Sequence, residues 1–229
     1  MKEQDRREEQ KIDNPKLVDL TYYVSPEMNV WPGDKRPEFQ QISKISSDGV
    51  NLSRFSISSH TGTHIDAPNH FIKGGSTIEE LSIDNTCGEA VIFRTKEKPD
   101  GGTVGLEEVK KSKLEPDRGN IFILNSGLEG LGKGKNHHQN FPVPSTELLE
   151  CLLDQGMKCY GTDCPSIDPP QSKTHENHKL LLEKGIPVIE NLARLDRLEA
   201  KERVKIYAFP LKLKGLEASP CRAVALIED

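Results

Sequence analysis

Between Leu17 and Ile227 the apolar residues come in short runs, each cut off by glycine, proline or a cluster of polar turn residues. A chain with that rhythm builds its core from many short strands. Residues 17–24, 50–60, 90–95, 121–125, 157–162, 186–191, 203–213 and 222–227 read as strands, and the continuous apolar run that opens 121–125 suits a sheet interior. Two stretches switch to helical spacing. Ser145-Thr146-Glu147 opens an amphipathic segment reaching Asp154 that Gly156 stops, and Thr174 can cap a helix running to Lys184, with Gly185 as its terminator and Pro187 beyond. There is no internal repeat. These elements predict a strand-rich mixed α/β fold.

Apolar residues make up 34% and charged residues 29% of the 229 positions, the balance of a globular chain and not of a disordered one. Residues 1–15 alternate charges with almost nothing to bury, so they are expected to form a flexible charged arm, and residues 16–229 a single domain. Thirty-one Lys and Arg against 36 Asp and Glu give a net charge of −5 with no basic block, which argues against a nucleic-acid partner. No window approaches the ~20 apolar residues of a membrane span, and the N-terminal residues lack a secretory apolar stretch, so no membrane partner is expected and the cytoplasm is the expected location. The five cysteines contain no Cys-x-x-Cys pair and read as reduced, small apolar side chains. Residues 127–141 read as a glycine-rich polar loop in which His137 and His138 would be solvated.

Chemistry concentrates in Ser59–Phe71, where His60, His64, Asp66 and His70 fall within eleven positions. Neutral imidazoles and a carboxylate are the donor mixture that zinc and related divalent ions take at about 2.0–2.2 Å. Gly62 permits the backbone angles needed to wrap both flanking histidines around one ion, and Pro68 keeps the segment from becoming a helix that would carry His64 and Asp66 apart. Downstream, His178 shares a helix face with Leu181 and Leu182 and so points inward, with His175 a turn earlier on a similar side. Glu190 follows Val188 and Ile189 in a strand, where an unpaired carboxylate would cost several kcal/mol. A cation would remove that cost, and so would a pairing of Glu190 with Arg194 or another base.

Taken together, these residues resemble the cyclase family of metal-dependent hydrolases, whose bacterial kynurenine formamidases (arylformamidases) carry the signature His-x-Gly-Thr-His-x-Asp-x-Pro-x-His. Here it is His60-Thr61-Gly62-Thr63-His64-Ile65-Asp66-Ala67-Pro68-Asn69-His70. The likeness continues through Trp31-Pro32-Gly33-Asp34, Gly161–Asp168, His178 with Glu190-Asn191-Leu192, and Ala218–Val224. It implies a swivelling β/β/α domain with a central mixed sheet or barrel flanked by helices, assembled as a homodimer or homotetramer. It also implies His60, His64 and Asp66 as ligands of one metal, Asp66, His178 and Glu190 as ligands of a second, His70 as catalytic acid/base, and Trp31 as a substrate-pocket aromatic. One or two divalent ions, zinc first and manganese second, would activate a water against a small amide or lactone, with N-formyl-kynurenine the first candidate and tryptophan catabolism the setting.

The chain departs from the family where many relatives have Thr-Gly-Trp. Here Asn125-Ser126-Gly127-Leu128 stands instead, which leaves open the hydrolysis of isatin or of a lactone. A Cys–His nucleophile built on Cys164 is disfavoured because a metal-activated water makes it unnecessary. A metal- or ligand-binding protein without turnover is the alternative of another class, and the presence of His70 argues against it. A structural zinc site is disfavoured because such sites are usually closed and rich in cysteine.

Overall fold

The computed structural model describes residues 16–95, 98, 101–114, 116–128, 138–198 and 202–227. The expected flexible arm and most of the glycine-rich loop, His137 included, lie outside the described residues. In chain order the strands are β1 (Lys16–Asp19), β2 (Glu38–Ser43), β3 (Leu52–Ser56), β4 (His64–Asp66), β5 (Cys87–Arg94), β6 (Gly102–Val104), β7 (Ile121–Asn125), β8 (Pro142–Pro144), β9 (Cys159–Thr162), β10 (Val188–Glu190), β11 (Arg203–Pro210) and β12 (Ala218–Ile227). The helices are α1 (Ile45–Asp48), α2 (Leu106–Lys111), α3 (Thr146–Asp154) and α4 (Glu176–Glu183).

Seven strands close a barrel in the order β12-β11-β5-β7-β9-β10-β4, with β4 returning to β12. β5, β7, β9 and β10 run parallel and the remaining pairs antiparallel. β12 is long enough to serve two neighbours along one edge: Ala218, Ser219 and Pro220 pair with β4, and Val224–Ile227 with β1. The strand pleat sorts the side chains. Ala90, Ile92, Ile121, Ile123, Ile189, Ile206 and Ala223 pack together in one cluster, while Phe93, Phe122, Leu124, Tyr160 and Val188 turn the other way, against Leu148, Leu149 and Leu152 of α3 and Leu181 and Leu182 of α4. β7 is apolar from Ile121 to Leu124 because both of its faces are covered. Helix α3 begins where Ser145 Oγ accepts from the Leu148 amide, and the chain leaves it through Gly156 at φ +83°.

The structure shortens several of the predicted strands. The first stops at Asp19, whose carboxylate accepts from the Thr21 amide, and Arg194 binds the Asp19 and Thr21 carbonyls, holding that turn. β3 ends at Ser56, so His60 belongs to a loop. Thr174 does not cap α4: His175 occupies the cap in the left-handed region, φ +50°, and the helix begins at Glu176. Among the described residues β2 and β3 pair only with each other, Phe39 facing Phe55 across the ribbon with a bulge at Gln41/Ser43. Along this ribbon and its tip, Phe39, Ile42, Ile45, Val50, Leu52 and Phe55 are 48–65% exposed.

Candidate metal centre

β4 is three residues long, and its pleat decides the site. Ile65 enters the barrel core, so His64 and Asp66 project together from the opposite face. The antiparallel register sets Glu190 of β10 across from His64, and α4 lays His178 over the same face. His178 Nε2 lies 3.1 Å from Glu190 Oε1 and 3.4 Å from Asp66 Oδ2. His64 Nε2 lies 3.4 Å from Asp66 Oδ1 and 3.5 Å from Glu190 Oε2. His60 arrives from the loop, Nδ1 2.9 Å from Asp66 Oδ1. Gly62, at φ +67°, turns the chain between the two histidines, and its carbonyl holds His64 Nδ1 at 2.9 Å, so Nε2 is the nitrogen presented to the site.

These contacts form two donor sets, His60/His64/Asp66 and Asp66/His178/Glu190, each with ligand atoms within 4.8 Å of one another. That spread matches donors on different sides of one ion at bonds of about 2.0–2.2 Å. Asp66 belongs to both sets. It is completely buried, and among the described residues neither of its oxygens nor His64 Nε2 has a hydrogen-bond partner. His60 Nδ1 is near enough to Asp66 but off the hydrogen-bonding direction. Buried acceptors without donors are costly, and a divalent cation between the two sets would satisfy all three. Electrostatics carries the same message: burial opposes charge on His64, yet Asp66 and Glu190 outweigh it and hold the imidazole up at about 10. Burial likewise works against the Asp66 carboxylate, and His60 and His64 hold it well below the usual range. The residues fit a metal.

His70 sits on the short turn Pro68–His70, its ring centroid 4.2 Å from that of His60 and 5.9 Å from that of His178. Burial pulls its pKa down to about 4. A cavity of about 270 Å³ opens over the site, lined among others by Trp31, His60, His64, His70, His138 and Glu190. Trp31 is held by a turn in which the Asp34 amide donates to the Trp31 carbonyl and Gly33 takes φ +101°. All seven residues singled out for the site in the sequence thus line one cavity or lie directly beneath it.

Two sequence readings are corrected. His138 is not a solvated loop side chain: it meets Trp31 edge-on, ring centroids 5.3 Å apart, and supplies an aromatic wall at the cavity. His175, at the cap of α4, does lie on a similar side to His178, lining the same cavity with its ring stacked on Phe71, centroids 4.7 Å apart. Glu190 does not pair with Arg194, whose guanidinium is taken by Asp19 and backbone carbonyls. Cys164 is fully buried against Ser126 Oγ and the Pro142 carbonyl, and burial pushes its thiol pKa well up, which removes it as a nucleophile.

Two supporting carboxylates, Asp168 and Glu217, have no role assigned from the sequence. Asp168 accepts from His178 Nδ1 at 2.6 Å and from the amides of Asn177 and His178, holding the imidazole with Nε2 toward the site. Glu217, bound by Ser59 Oγ, lies 3.4 Å from His60 Nε2. The first closes the Gly161–Asp168 block that carries the family likeness but was given no role there, and the second lies just before β12, 157 positions from His60, a distance that no local pattern spans.

Comparison with known proteins agrees with this arrangement. The Cyclase family model matches residues 18–169. A curated kynurenine formamidase from Salinibacter ruber is 31% identical over 211 residues, covering 91% of this chain and 96% of the relative. Among solved structures, isatin hydrolase A from Ralstonia solanacearum superposes with a TM-score of 0.82 at 24% identity, covering 94% of this chain and 93% of that one. A potential metal-dependent hydrolase with cyclase activity gives 0.72 at 26% identity over 94% and 99% of the two chains. With a family model matching more than half of its length and a relative aligned nearly end to end, this chain belongs to the cyclase family.

Proposed function

We propose that this protein is a metal-dependent hydrolase that cleaves a small aryl formamide, N-formyl-kynurenine being the first substrate to test. The observation that carries this reading is the pair of donor sets meeting at Asp66, whose buried oxygens have no hydrogen-bond partner among the described residues. His60, His64 and Asp66 would hold one divalent ion, and Asp66, His178 and Glu190 a second, with zinc the first choice and manganese the next for such nitrogen and carboxylate donors. When bound, the metal supplies Lewis acidity and an acidified water at neutral pH. The kinship with a curated kynurenine formamidase favours the formamide over isatin or a lactone.

The chain's own residues do the rest. His70, kept neutral by burial, takes a proton as the carbonyl is attacked and returns it to the departing aryl amine, a role worth about 10²–10⁴ in rate. Trp31 and the edge-on His138 offer a flat apolar wall to an aryl ring. Five free cysteines among the described residues support a reducing, cytoplasmic setting, and no described helix is long and apolar enough to cross a membrane. The family likeness favours a homodimer or homotetramer.

The test is an assay of the metal-loaded enzyme on N-formyl-kynurenine, formanilide, isatin and a small aryl lactone, with and without EDTA. Chelator-sensitive cleavage of the formamides is the expected result. Selective turnover of isatin or the lactone would overturn the substrate class, and turnover indifferent to EDTA would overturn the metal.

A further inference from the structure

We infer that a second cavity, at the carboxyl ends of the parallel strands, binds a free α-amino acid with an aromatic side chain. This proposal does not depend on the hydrolase reading. The cavity has a volume of about 870 Å³ and shares no lining residue with the one above the metal centre. Arg94 ends β5, Asn125 ends β7, Asp163 follows β9 and Leu192 follows β10, and all four line it. The carboxyl ends of parallel strands are where α/β sheets take their ligands, and the volume lies within the range of small-molecule sites. Its outer wall includes Tyr22, Tyr23 and Met28, from which the chain runs on into Asn29, Val30 and Trp31 of the metal cavity.

The strand register sets the polar groups in a row. Arg94 is level with Asn125, and Asp163 comes one position after Thr162, which is level with Leu124. A guanidinium, an amide and a carboxyl thus start from one face of three adjacent strands, about 4.8 Å from each strand to the next. A zwitterion needs that order, with its carboxylate on the guanidinium and its ammonium on the carboxylate. Two further observations point to a ligand. Thr95 Oγ1, beside Arg94 at the cavity, is buried with no hydrogen-bond partner among the described residues and can donate to the same carboxylate. Asp163 is 3% exposed, accepts from the Ser126 amide and makes no ion pair among the described residues, so an ammonium supplies its missing counter-charge. The cavity does not select a simple anion, because Arg194 is taken by Asp19 and, at the exposed mouth, Arg197 is outnumbered by Asp196 and Glu27. Tyr23, 88% exposed, and Tyr22 offer their rings to the aromatic side chain.

The experiment is isothermal titration calorimetry of the full-length, metal-loaded protein with L-phenylalanine, and with L-alanine, 3-phenylpropionate and phenethylamine as truncated probes. L-Phenylalanine is expected to bind saturably at a single site per chain, and each truncated probe about tenfold more weakly or worse. Arg94→Met and Asp163→Asn should each weaken L-phenylalanine by about the same factor, and stripping the metal with EDTA should leave its affinity unchanged. Should Arg94→Met fail to fold, Asp163→Asn, which keeps the shape of the side chain, decides. The absence of saturable L-phenylalanine binding, truncated probes that bind as tightly, binding lost with the metal, or a folded Asp163→Asn protein that binds like wild type would each overturn the proposal.

Discussion

Replacing Asp168 with alanine isolates the part of the site that orients His178. The carboxylate accepts three hydrogen bonds, from His178 Nδ1 at 2.6 Å and from the amides of Asn177 and His178 at 2.9 and 3.2 Å. Removing it leaves the imidazole free to rotate and to exchange tautomers, so Nε2 no longer points at Asp66 and Glu190 by default. Loss of an orienting carboxylate of this kind costs about 10–100-fold in metal affinity, or roughly 1.4–2.7 kcal/mol. The first turn of α4 also loses two acceptors, about 1–2 kcal/mol of stability by analogy with helix caps. Competition titrations with a chromophoric chelator, run for zinc and for manganese, should find only the ion that Asp66, His178 and Glu190 would hold affected in that proportion. Asp168→Asn, which retains one acceptor oxygen, should recover stability better than affinity. If both ions weaken alike, or if metal-free melting falls while neither affinity moves, Asp168 is a helix cap and does not position His178.

His70→Ala should keep its metal content and lose about 10²–10⁴ in turnover, whereas loss of metal would make His70 a ligand. Glu190→Gln should lower the metal count, measured by elemental analysis at saturating zinc, from two toward one per chain; an unchanged count of one in both proteins would remove the shared role of Asp66. At Gly75 an added Cβ would lie 2.7 Å from the Pro68 carbonyl carbon and 2.9 Å from the Asn69 nitrogen, so Gly75→Ala must push the turn that carries His70. That overpacking should cost about 1–3 kcal/mol and lower kcat at full metal occupancy, and wild-type kinetics would refute the coupling. Burial raises Asp163 from the ordinary carboxylate range to about 6. The folded state therefore holds that proton more tightly than the unfolded one, and stability from this group is lost as pH rises from about 4 through 6. Asp163→Asn should melt higher than wild type at pH 7 by an amount worth about 1–3 kcal/mol and show little advantage at pH 4; an equal offset at both pH values would refute it.

The parts of the site that could be read in advance were those written locally. Three histidines and an aspartate within Ser59–Phe71 announce a metal whatever the surrounding fold, and the apolar run of β7 announces a buried strand. Barrel closure was not legible, because it depends on β12 being long enough to pair with both β11 and β4, a property of register that composition does not encode. The assignment of Thr174 as a cap failed because Asp168, from the preceding loop, took over the first amides of α4. His138 was misread for a related reason: local polarity suggested solvent, and the neighbour that withdraws it from solvent, Trp31, lies 107 positions earlier. Chain-distant partners, not weak propensities, account for these misses.

The three residues of β4 are hydrogen-bonded along both edges, to β10 on one side and to β12 on the other. His64 and Asp66 therefore ride on the strand that closes the barrel, and they cannot separate from Glu190 without parting two ladders at once. Fraying of a free loop or terminal strand therefore cannot pull these three donors apart, and an ion between them would come and go through the cavity above while the strand-borne donors keep their places, so that chelation empties the site without unfolding the barrel.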